Sequence, residues 1–408
     1  MRMSWKAVLG AVACLAAQLA FGGEIAPGRH PRIPCAGKPN YTYDLLIPAA
    51  YAAEPGRKFP VLFLSSPIAN PGFIGMEDWA ERRGVILVAI NDTKNDMPIA
   101  GWDEVQASVI KSVEGTLRVH PCLRFSMGLS GAAMASMRLA NHYNDKHAGV
   151  VMLAHSGNGE DSKLAKHVAV AFVHAENDDI HSAGTVRGVA RALERRGNPV
   201  RQVCGDWGHS NGPHEYHVKF LDWMLDLQRL VHPNLPPEER KATVEEIARR
   251  AEALAGADNA ASRCAEAEAL LELPETVTAR HAKAILAAWF SAKFELASAK
   301  AGPAARHEAL TALSEDERVM RCAPADIQKL SKALSELRKD SPAKEEWAAH
   351  RAYLQVLAME EKAGKSRIKK TQAAQGYAMV ARKYPETAAG RKAADATKRL
   401  AAEIDGGR

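Results

Sequence analysis

The sequence predicts an α/β fold with a doubly wound, mostly parallel sheet, followed by an all-α C-terminal region. Two observations carry this prediction. In the first part of the 408-residue chain, continuous apolar runs that are typical of strands buried on both faces alternate with segments of helical periodicity. From about residue 238 onward no β-branched run remains, and Ala, Glu, Lys, Arg and Leu recur with helical spacing.

The predicted elements follow one another in the order that a parallel sheet with crossover helices requires. An outer strand is expected at 41–47, where polar and apolar residues alternate before the segment becomes fully apolar. The buried strands are predicted at 59–65, 85–90, 124–127, 149–154, 168–173 and 200–204. The helices are predicted at 79–83, 105–120, 133–142, 185–196 and 215–230. Ligand sites on such sheets lie at the carboxyl ends of the strands, so functional residues are expected in the loops that follow them.

The N-terminal segment has the pattern of a secretory signal peptide. Arg2 and Lys6 precede an apolar run, and small residues at 20–22 offer a cleavage site. We therefore expect removal of residues 1–22 and export to the periplasm or the extracellular space. A lipoprotein attached through Cys14 is an alternative, but the usual Leu is missing three residues before it. The apolar run is short for a membrane span and no second one follows, so no transmembrane span is predicted.

The composition predicts two unequal domains and excludes one class of partner. With 47% hydrophobic and 25% charged residues, the chain can bury a large core. The formal net charge of +6 comes without a Lys/Arg block interleaved with aromatic residues, so a nucleic-acid partner is not predicted. The chain is thus divided into the signal peptide, an α/β domain at 23–232, a Pro-rich linker at 233–237 and a helical domain at 238–408.

The cysteine count permits disulfides in an exported protein. Five cysteines follow the signal segment, an odd number, so at least one thiol is free or pairs outside the chain. Cys264 and Cys322, both in the helical region, are a plausible pair. Cys35, Cys122 and Cys204 are equally consistent with small buried apolar residues.

The segment Gly128-Leu-Ser-Gly-Ala132, between a predicted strand and a predicted helix, is the candidate for a catalytic nucleophile. A serine on a sharp strand-to-helix turn needs small neighbours because the backbone is strained and packs closely. Gly128, Gly131 and Ala132 meet this need. Ser130 would then lie at the N-terminus of the helix, with the Gly131 amide directed at a developing oxyanion. The alternative is a serine that only caps the helix.

A general base and an orienting acid follow Ser130 in the chain. Asp178 comes after the strand at 168–173, with the adjacent Asp179 as the alternate, and His209 lies in a Gly-rich loop after the last strand. This order of serine, acid and histidine predicts a Ser-His-Asp catalytic triad. The structural alternatives are a turn or capping role for Asp178 and a loop-stabilising role for His209.

The second oxyanion donor is expected from the loop after the strand at 59–65. Pro67 has no amide hydrogen, so Ser66 or Ile68 must donate. No cofactor and no metal are predicted. A metal site is the weaker interpretation of the crowded Asp206, His209, His214 and His217, because their spacing does not place the histidines on one face of a helix.

Several segments resemble the secreted polyhydroxybutyrate-depolymerase and feruloyl-esterase type of α/β-hydrolase. They are Tyr43–Tyr51, Phe59–Leu64, Gly128–Ala132, Gly208-His209 with Pro213, and the helix that contains Phe220–Met224. The resemblance spans roughly residues 41–230, and it implies that Ser130, Asp178 and His209 occupy the catalytic positions. One position departs from the family pattern, since Ser65-Ser66 stand where the family usually has His-Gly. The oxyanion loop is therefore atypical.

Together these features predict a secreted serine hydrolase that cleaves carboxylic esters through an acyl-enzyme. The short interval between Ser130 and Asp178 leaves little room for an inserted lid, which favours an open cleft and a bulky or polymeric ester. A serine peptidase is an alternative because the triad serves amides as well as esters. Another alternative is a catalytically inactive hydrolase-fold protein that binds a partner through its helical region.

The helical region carries one further pattern. Residues 373–401, with a Tyr384-Pro-Glu-Thr387 turn between two helical stretches, resemble a single tetratricopeptide-type hairpin. A protein partner bound through this region is the corresponding functional expectation.

Overall fold

The computed structural model describes residues 25–157, 159, 163–337, 339, 341–361 and 366–406. The predicted signal peptide, with Cys14 inside it, lies outside these residues. The chain divides into two compact units between Glu245 and Glu246. Within the described ranges, no helix is both long and apolar enough to cross a membrane.

The first unit is built on one eight-stranded sheet, with strand order β1-β2-β4-β3-β5-β6-β7-β8. Its strands are β1 Gly28–Cys35, β2 Lys38–Ile47, β3 Phe59–Ser65, β4 Ile86–Ile90, β5 Val119–Leu129, β6 His147–Leu153, β7 Ala169–Ala175 and β8 Val200–Gly205. β2 is antiparallel to β1 and to β4, and all other neighbours are parallel. The predicted doubly wound, mostly parallel sheet of an α/β-hydrolase fold is confirmed.

Helices cover both faces of this sheet, as the continuous apolar strands require. They are α1 Ala50–Ala53, α2 Glu77–Arg83, α3 Ile99–Thr116, α4 Gly131–His142, α5 Ala183–Arg196 and α6 His214–Val231. α2 and α6 share a buried cluster on one face, whereas α3, α4 and α5 contribute to clusters on the other. The caps of α5 show why it begins and ends where it does. Ser182 Oγ accepts a hydrogen bond from Thr185 N, and Gly197, at φ 93°, terminates it.

Two of the predicted element positions in this unit are wrong, and one strand was not predicted. The segment 41–47 is not the outer strand, because β1 pairs beyond it. β1 contains Pro31 and Pro34 and is largely exposed, which only an edge strand tolerates. Because it has no apolar run, the sequence pattern did not predict it. The helix predicted at 105–120 ends at Thr116, and β5 begins at Val119.

The second unit is all-helical. Its helices are the second part of α7 Pro237–Ala253, α8 Ala260–Leu271, α9 Glu275–Thr278, α10 Ala282–Ser298, α11 Pro303–Ser314, α12 Pro324–Leu337, α13 Ser341–Glu361, α14 Arg367–Lys383 and α15 Ala388–Gly406, with 3-10 turns at Leu254–Gly256 and Glu317–Arg321. The all-α C-terminal region predicted from the sequence is confirmed.

The predicted linker at 233–237 does not coincide with the division between the units. Leu235 is buried in the core of the sheet unit. The first turn of α7 also belongs to that unit, because Glu239 Oε2 lies 2.8 Å from His120 Nε2 and Arg240 donates to the His232 carbonyl. The separation therefore falls inside a helix rather than in the proline-rich connector.

α14 and α15 form a helical hairpin around the Tyr384–Thr387 turn. Tyr377 is fully buried in a core that α14 and α15 share with Val356 of α13. The likeness of this hairpin to a tetratricopeptide repeat stays a prediction.

The cysteines within the described ranges are all free thiols. The pairing of Cys264 with Cys322 is therefore not formed. Cys35 and Cys122 are buried, in agreement with an apolar packing role, whereas Cys204 is partly exposed.

Candidate active site

Ser130 occupies a strained turn between β5 and α4. Its φ of 54° and ψ of −128° lie in a region that non-glycine residues rarely adopt. The Ser130 amide donates to the Leu153 carbonyl at 2.9 Å, and the Ser130 carbonyl accepts from Ala133 N at 2.9 Å. These two hydrogen bonds hold the turn at the carboxyl end of β5.

The small residues beside Ser130 are required by close backbone contacts. A Cβ atom on Gly128 would overlap the backbone of Ala132 and lie 2.9 Å from Ala133 N. On the other side of the serine, a Cβ atom on Gly131 would overlap the side chain of Asn95. Backbone contact therefore requires a glycine at 128, whereas a Cβ atom at 131 would displace only the Asn95 side chain.

Asp178 and His209 face each other in the loops after β7 and β8. His209 Nδ1 lies 3.0 Å from Asp178 Oδ2 and 3.1 Å from Oδ1. The adjacent Asp179 is exposed. Of the two carboxylates between which the sequence could not choose, Asp178 is the one that contacts the ring.

The environment of Asp178 keeps its carboxylate ionised. Its side chain has 0% exposure. Burial raises the pKa, but the amides of His181 and Ile180 and the ring of His209 outweigh burial, so the pKa lies below its usual 3.8. Since an ionised carboxylate only accepts, Nδ1 of His209 carries the hydrogen and Nε2 is left as the basic nitrogen.

Asn177 ties the two loops together. Its Oδ1 accepts from the amide of Gly208, directly before His209, at 2.9 Å. Its Nδ2 donates to Asp206 Oδ1 at 2.7 Å. Asn177 cannot be identified from the sequence, because a hydrogen bond between loops leaves no local pattern there.

Two further histidines lie near His209: His181 stacks on its ring, and His155 contacts His181. The ring of His181 lies 5.9 Å from that of His209 and 4.1 Å from that of His155, measured between centroids. Burial, with His181 and His209 nearby, lowers the pKa of His155 to about 4. His155 is therefore neutral at physiological pH, and its Nδ1 accepts from the Gly157 amide at 2.7 Å. Both histidines follow predicted strands, which was the one signal that could have identified them.

The two candidate oxyanion donors in the loop after β3, the amides of Ser66 and Ile68, differ in whether they already donate a hydrogen bond. The Ile68 amide donates to Ser66 Oγ at 3.2 Å, and the Ile68 side chain is 84% exposed. Asn95 N donates to the Pro67 carbonyl at 2.9 Å, which fastens this loop to the loop after β4. The Ile68 amide therefore already has a hydrogen-bond acceptor within its own loop.

The three predicted triad residues lie at the carboxyl ends of β5, β7 and β8 of one sheet. The structure brings Asp178 and His209 into direct hydrogen-bonding contact. The Ser130 hydroxyl makes no hydrogen bond to any residue in the described ranges. Catalytic hydrogen bonds of this kind often tighten only when substrate is bound.

A cavity of about 140 Å³ opens beside Gly131, at the start of α4. Its wall is mostly apolar and includes one buried indole, that of Trp102; the other lining residues are Asn95, Met97, Ile99, Met134, Ala135 and Arg138. Arg138 is bound to both oxygens of Asp103. A cavity of about 150 Å³ accommodates an apolar group of roughly the size of benzene.

In the part of the chain that the structure describes, no group of three or more His, Cys, Asp or Glu residues is arranged to hold a metal ion. The side chains of the metal interpretation have other contacts. Asp206 binds Asn177, His214 Nε2 lies 3.0 Å from the Gly75 carbonyl, and His217 Nε2 lies 2.7 Å from the Asn211 carbonyl.

No family model and no curated protein matches the chain. Several solved structures are similar to part of it. A ferulic acid esterase is 17% identical, with 45% of this chain and 90% of that chain covered and a TM-score of 0.36. An S-formylglutathione hydrolase from Staphylococcus aureus is 11% identical, covering 49% and 98%, with a TM-score of 0.40. A carboxylesterase from Bacillus cereus is 16% identical, covering 45% and 93%, with a TM-score of 0.37.

Proposed function

We propose that this protein is an exported serine hydrolase that cleaves carboxylic esters. The observation that carries the proposal is the buried, ionised Asp178 hydrogen-bonded to Nδ1 of His209, at the same edge of the sheet as the strained Ser130 turn. A carboxylate that orients an imidazole, together with a serine on a sharp strand-to-helix turn, is the arrangement used for nucleophilic acyl transfer.

In the proposed reaction, Ser130 Oγ attacks the ester carbonyl carbon while Nε2 of His209 takes its proton. Asp178 fixes the tautomer of His209 and stabilises the imidazolium that forms. The imidazolium then protonates the leaving alcohol as the tetrahedral intermediate collapses to the acyl-enzyme. Water, activated by His209, releases the acid and restores Ser130.

The oxyanion is stabilised by backbone amides in this proposal. Gly131 is the first residue of α4, where amide hydrogens have no partner inside the helix. The second amide is that of Ser66 rather than Ile68, because the Ile68 amide already donates to Ser66 Oγ.

The substrate we propose is a bulky or polymeric ester. Between β6 and β7, residues 154–157, 159 and 163–168 form no α-helix in the described structure. The cavity beside Gly131 would take an apolar group of limited size, with the remainder of the substrate in the open cleft.

A partner-binding role of the helical unit is a second candidate function. A groove of about 800 Å³ lies between α13 and α14, and its wall includes Met359 and Met379, which are 48% and 74% exposed. Exposed methionines adapt to varied apolar partners. If the folded protein lacked an activated serine, this would become the favoured function.

Fluorophosphonate labelling tests the hydrolase proposal. We expect the wild-type protein to be labelled and both Ser130→Ala and His209→Ala to lose labelling, because the probe reacts only with an activated serine. Ser108→Ala is the matched control, since Ser108 lies on α3 and donates to the Glu104 carbonyl. A folded wild type that takes up no label would refute the proposal.

A further inference from the structure

In the proposed oxyanion site, two of the three residues at 66–68 cannot supply a free backbone amide. Pro67 has no amide hydrogen, and the Ile68 amide donates to Ser66 Oγ at 3.2 Å. Of the two candidate amides in the loop after β3, that of Ser66 is left to act with the Gly131 amide at the start of α4. A polar side chain that faces the same point would complete the site.

The loop after β4 brings Asn95 to that point. Its backbone is fastened to the oxyanion loop, because Asn95 N donates to the Pro67 carbonyl at 2.9 Å. The preceding Lys94 forms an antiparallel bridge with Ile68. The loop with Asn95 is thus held against the loop that carries the Ser66 amide, although Asn95 follows Ser66 by 29 positions in the chain.

The side chain of Asn95 reaches the other oxyanion donor. A Cβ atom placed on Gly131 would overlap Asn95 Oδ1 and would lie 3.1 Å from its Cγ and 3.7 Å from its Nδ2. Asn95 and Gly131 also line the same cavity. The carboxamide therefore lies beside Gly131 at the start of α4, while the Asn95 backbone is bonded to the loop after β3.

The carboxamide of Asn95 is available for a ligand. It makes no hydrogen bond to any residue in the described ranges, and the residue is exposed. An amide group offers two N–H donors, and a half-turn about the last side-chain bond exchanges its oxygen and nitrogen. Asn95 can thus present Nδ2–H towards a negative oxygen beside Gly131 without moving its backbone.

We propose that Asn95 is a catalytic residue whose Nδ2 donates a hydrogen bond to the oxyanion. As the bond from Ser130 Oγ to the carbonyl carbon forms, the electron pair of the C=O double bond moves to the oxygen, which then accepts from Gly131 N, Ser66 N and Asn95 Nδ2. Such a donor acts most strongly on the charge that develops in the transition state. The inference rests on the proposed serine hydrolase function.

Steady-state hydrolysis of p-nitrophenyl acetate by variants of Asn95 tests the inference. We expect Asn95→Ala to lower kcat by about 10²-fold, the effect of removing one oxyanion donor, with KM changed less than about threefold because the bond forms in the transition state. Asn95→Asp keeps the shape, loses the donor and adds a negative charge, so its kcat should fall at least as far. Asp96→Ala is the control, because Asp96 is a neighbouring exposed residue whose carboxylate pairs with Lys94.

A double-mutant cycle with Gly131→Ala separates hydrogen-bond donation by Asn95 from a general distortion of the active site. The added methyl group would displace the Asn95 side chain, so Gly131→Ala alone should lower kcat. In the Asn95→Ala background the same change should cost little, because no carboxamide remains to be displaced.

The outcomes distinguish the two proposals. If wild type is labelled at Ser130 and turns over, but both Asn95 variants keep kcat within about threefold of wild type, the role of Asn95 is overturned and the hydrolase stands. A rise in KM at unchanged kcat would assign Asn95 to ground-state binding and would also overturn it. A folded wild type without labelling or turnover refutes the hydrolase, and the role of Asn95 with it.

Discussion

At the residue scale, the proposed chemistry depends on which of two adjacent carboxylates faces the imidazole. Asp178 is buried, accepts the amides of Ile180 and His181 through Oδ1, and holds Nδ1 of His209. Asp179 is exposed and has no such role. A difference of one residue in the chain thus separates an orienting acid from a solvated surface group.

Exchanging each carboxylate for an amide tests this assignment. We expect Asp178→Asn to lower kcat by about 10³- to 10⁴-fold, because the neutral amide no longer favours the tautomer with hydrogen on Nδ1. Asp179→Asn is the matched control and should leave kcat unchanged. Ester hydrolysis by both variants checks this, and a loss of activity in Asp179→Asn alone would contradict the assignment.

At the element scale, the sheet brings the ends of three strands to one edge. Hydrogen bonds between the loops then fix the positions of the side chains that these loops carry. The loop after β7 is fastened to the loop after β8 by Asn177, which binds both Gly208 and Asp206. The Glu176 amide adds a hydrogen bond to the Gly205 carbonyl at 3.0 Å. The position of His209 is therefore set by a neighbouring loop as well as by its own.

Removing the Asn177 side chain tests this positioning role. We expect Asn177→Ala to lower kcat by roughly 10- to 100-fold, because small displacements of a catalytic group have effects of that order. The melting temperature should change little, since Asn177 is exposed. Arg187→Ala serves as the control, as it breaks a nearby surface ion pair with Glu176 and leaves both hydrogen bonds of the Asn177 side chain in place. Equal kcat in wild type and Asn177→Ala would contradict the role.

At the scale of the whole molecule, the sheet unit holds eight buried or half-buried histidines whose pKa lies below the usual 6.5. Burial is the main cause of a lowered pKa in each of eight: His120, His147, His155, His167, His174, His181, His217 and His232. The pKa falls to about 3 for His147 and to about 4 for His232. All eight precede the division at Glu245.

This burial predicts an acid-labile sheet unit. Below a pH of about 6.5 the unfolded chain takes up protons that the folded unit excludes, so stability is fully present above that pH and is lost as pH falls towards 4. Each histidine that stays neutral costs up to about 1.4 kcal/mol per pH unit in this window. Urea unfolding at pH 7, 6 and 5 measures the effect. A midpoint that does not fall between pH 7 and pH 5 would contradict it.

The sequence by itself determined the features that depend on local patterns. Continuous apolar runs located the buried strands, because a strand covered on both faces has no polar side. The small residues around Ser130 marked the strained turn, because steric limits apply to immediate neighbours. The order of Ser130, Asp178 and His209 after successive strands could be stated as a prediction for the same reason.

Only the tertiary structure decided the features that join distant segments. β1 escaped detection because its prolines and exposed face are compatible only with the edge of a sheet. The contact of Asp178 rather than Asp179 with His209, the loop-joining role of Asn177, and the approach of Asn95 to Gly131 all depend on side-chain direction across loops. Sequence spacing does not encode these directions, since they arise from how the folded sheet brings the loops together.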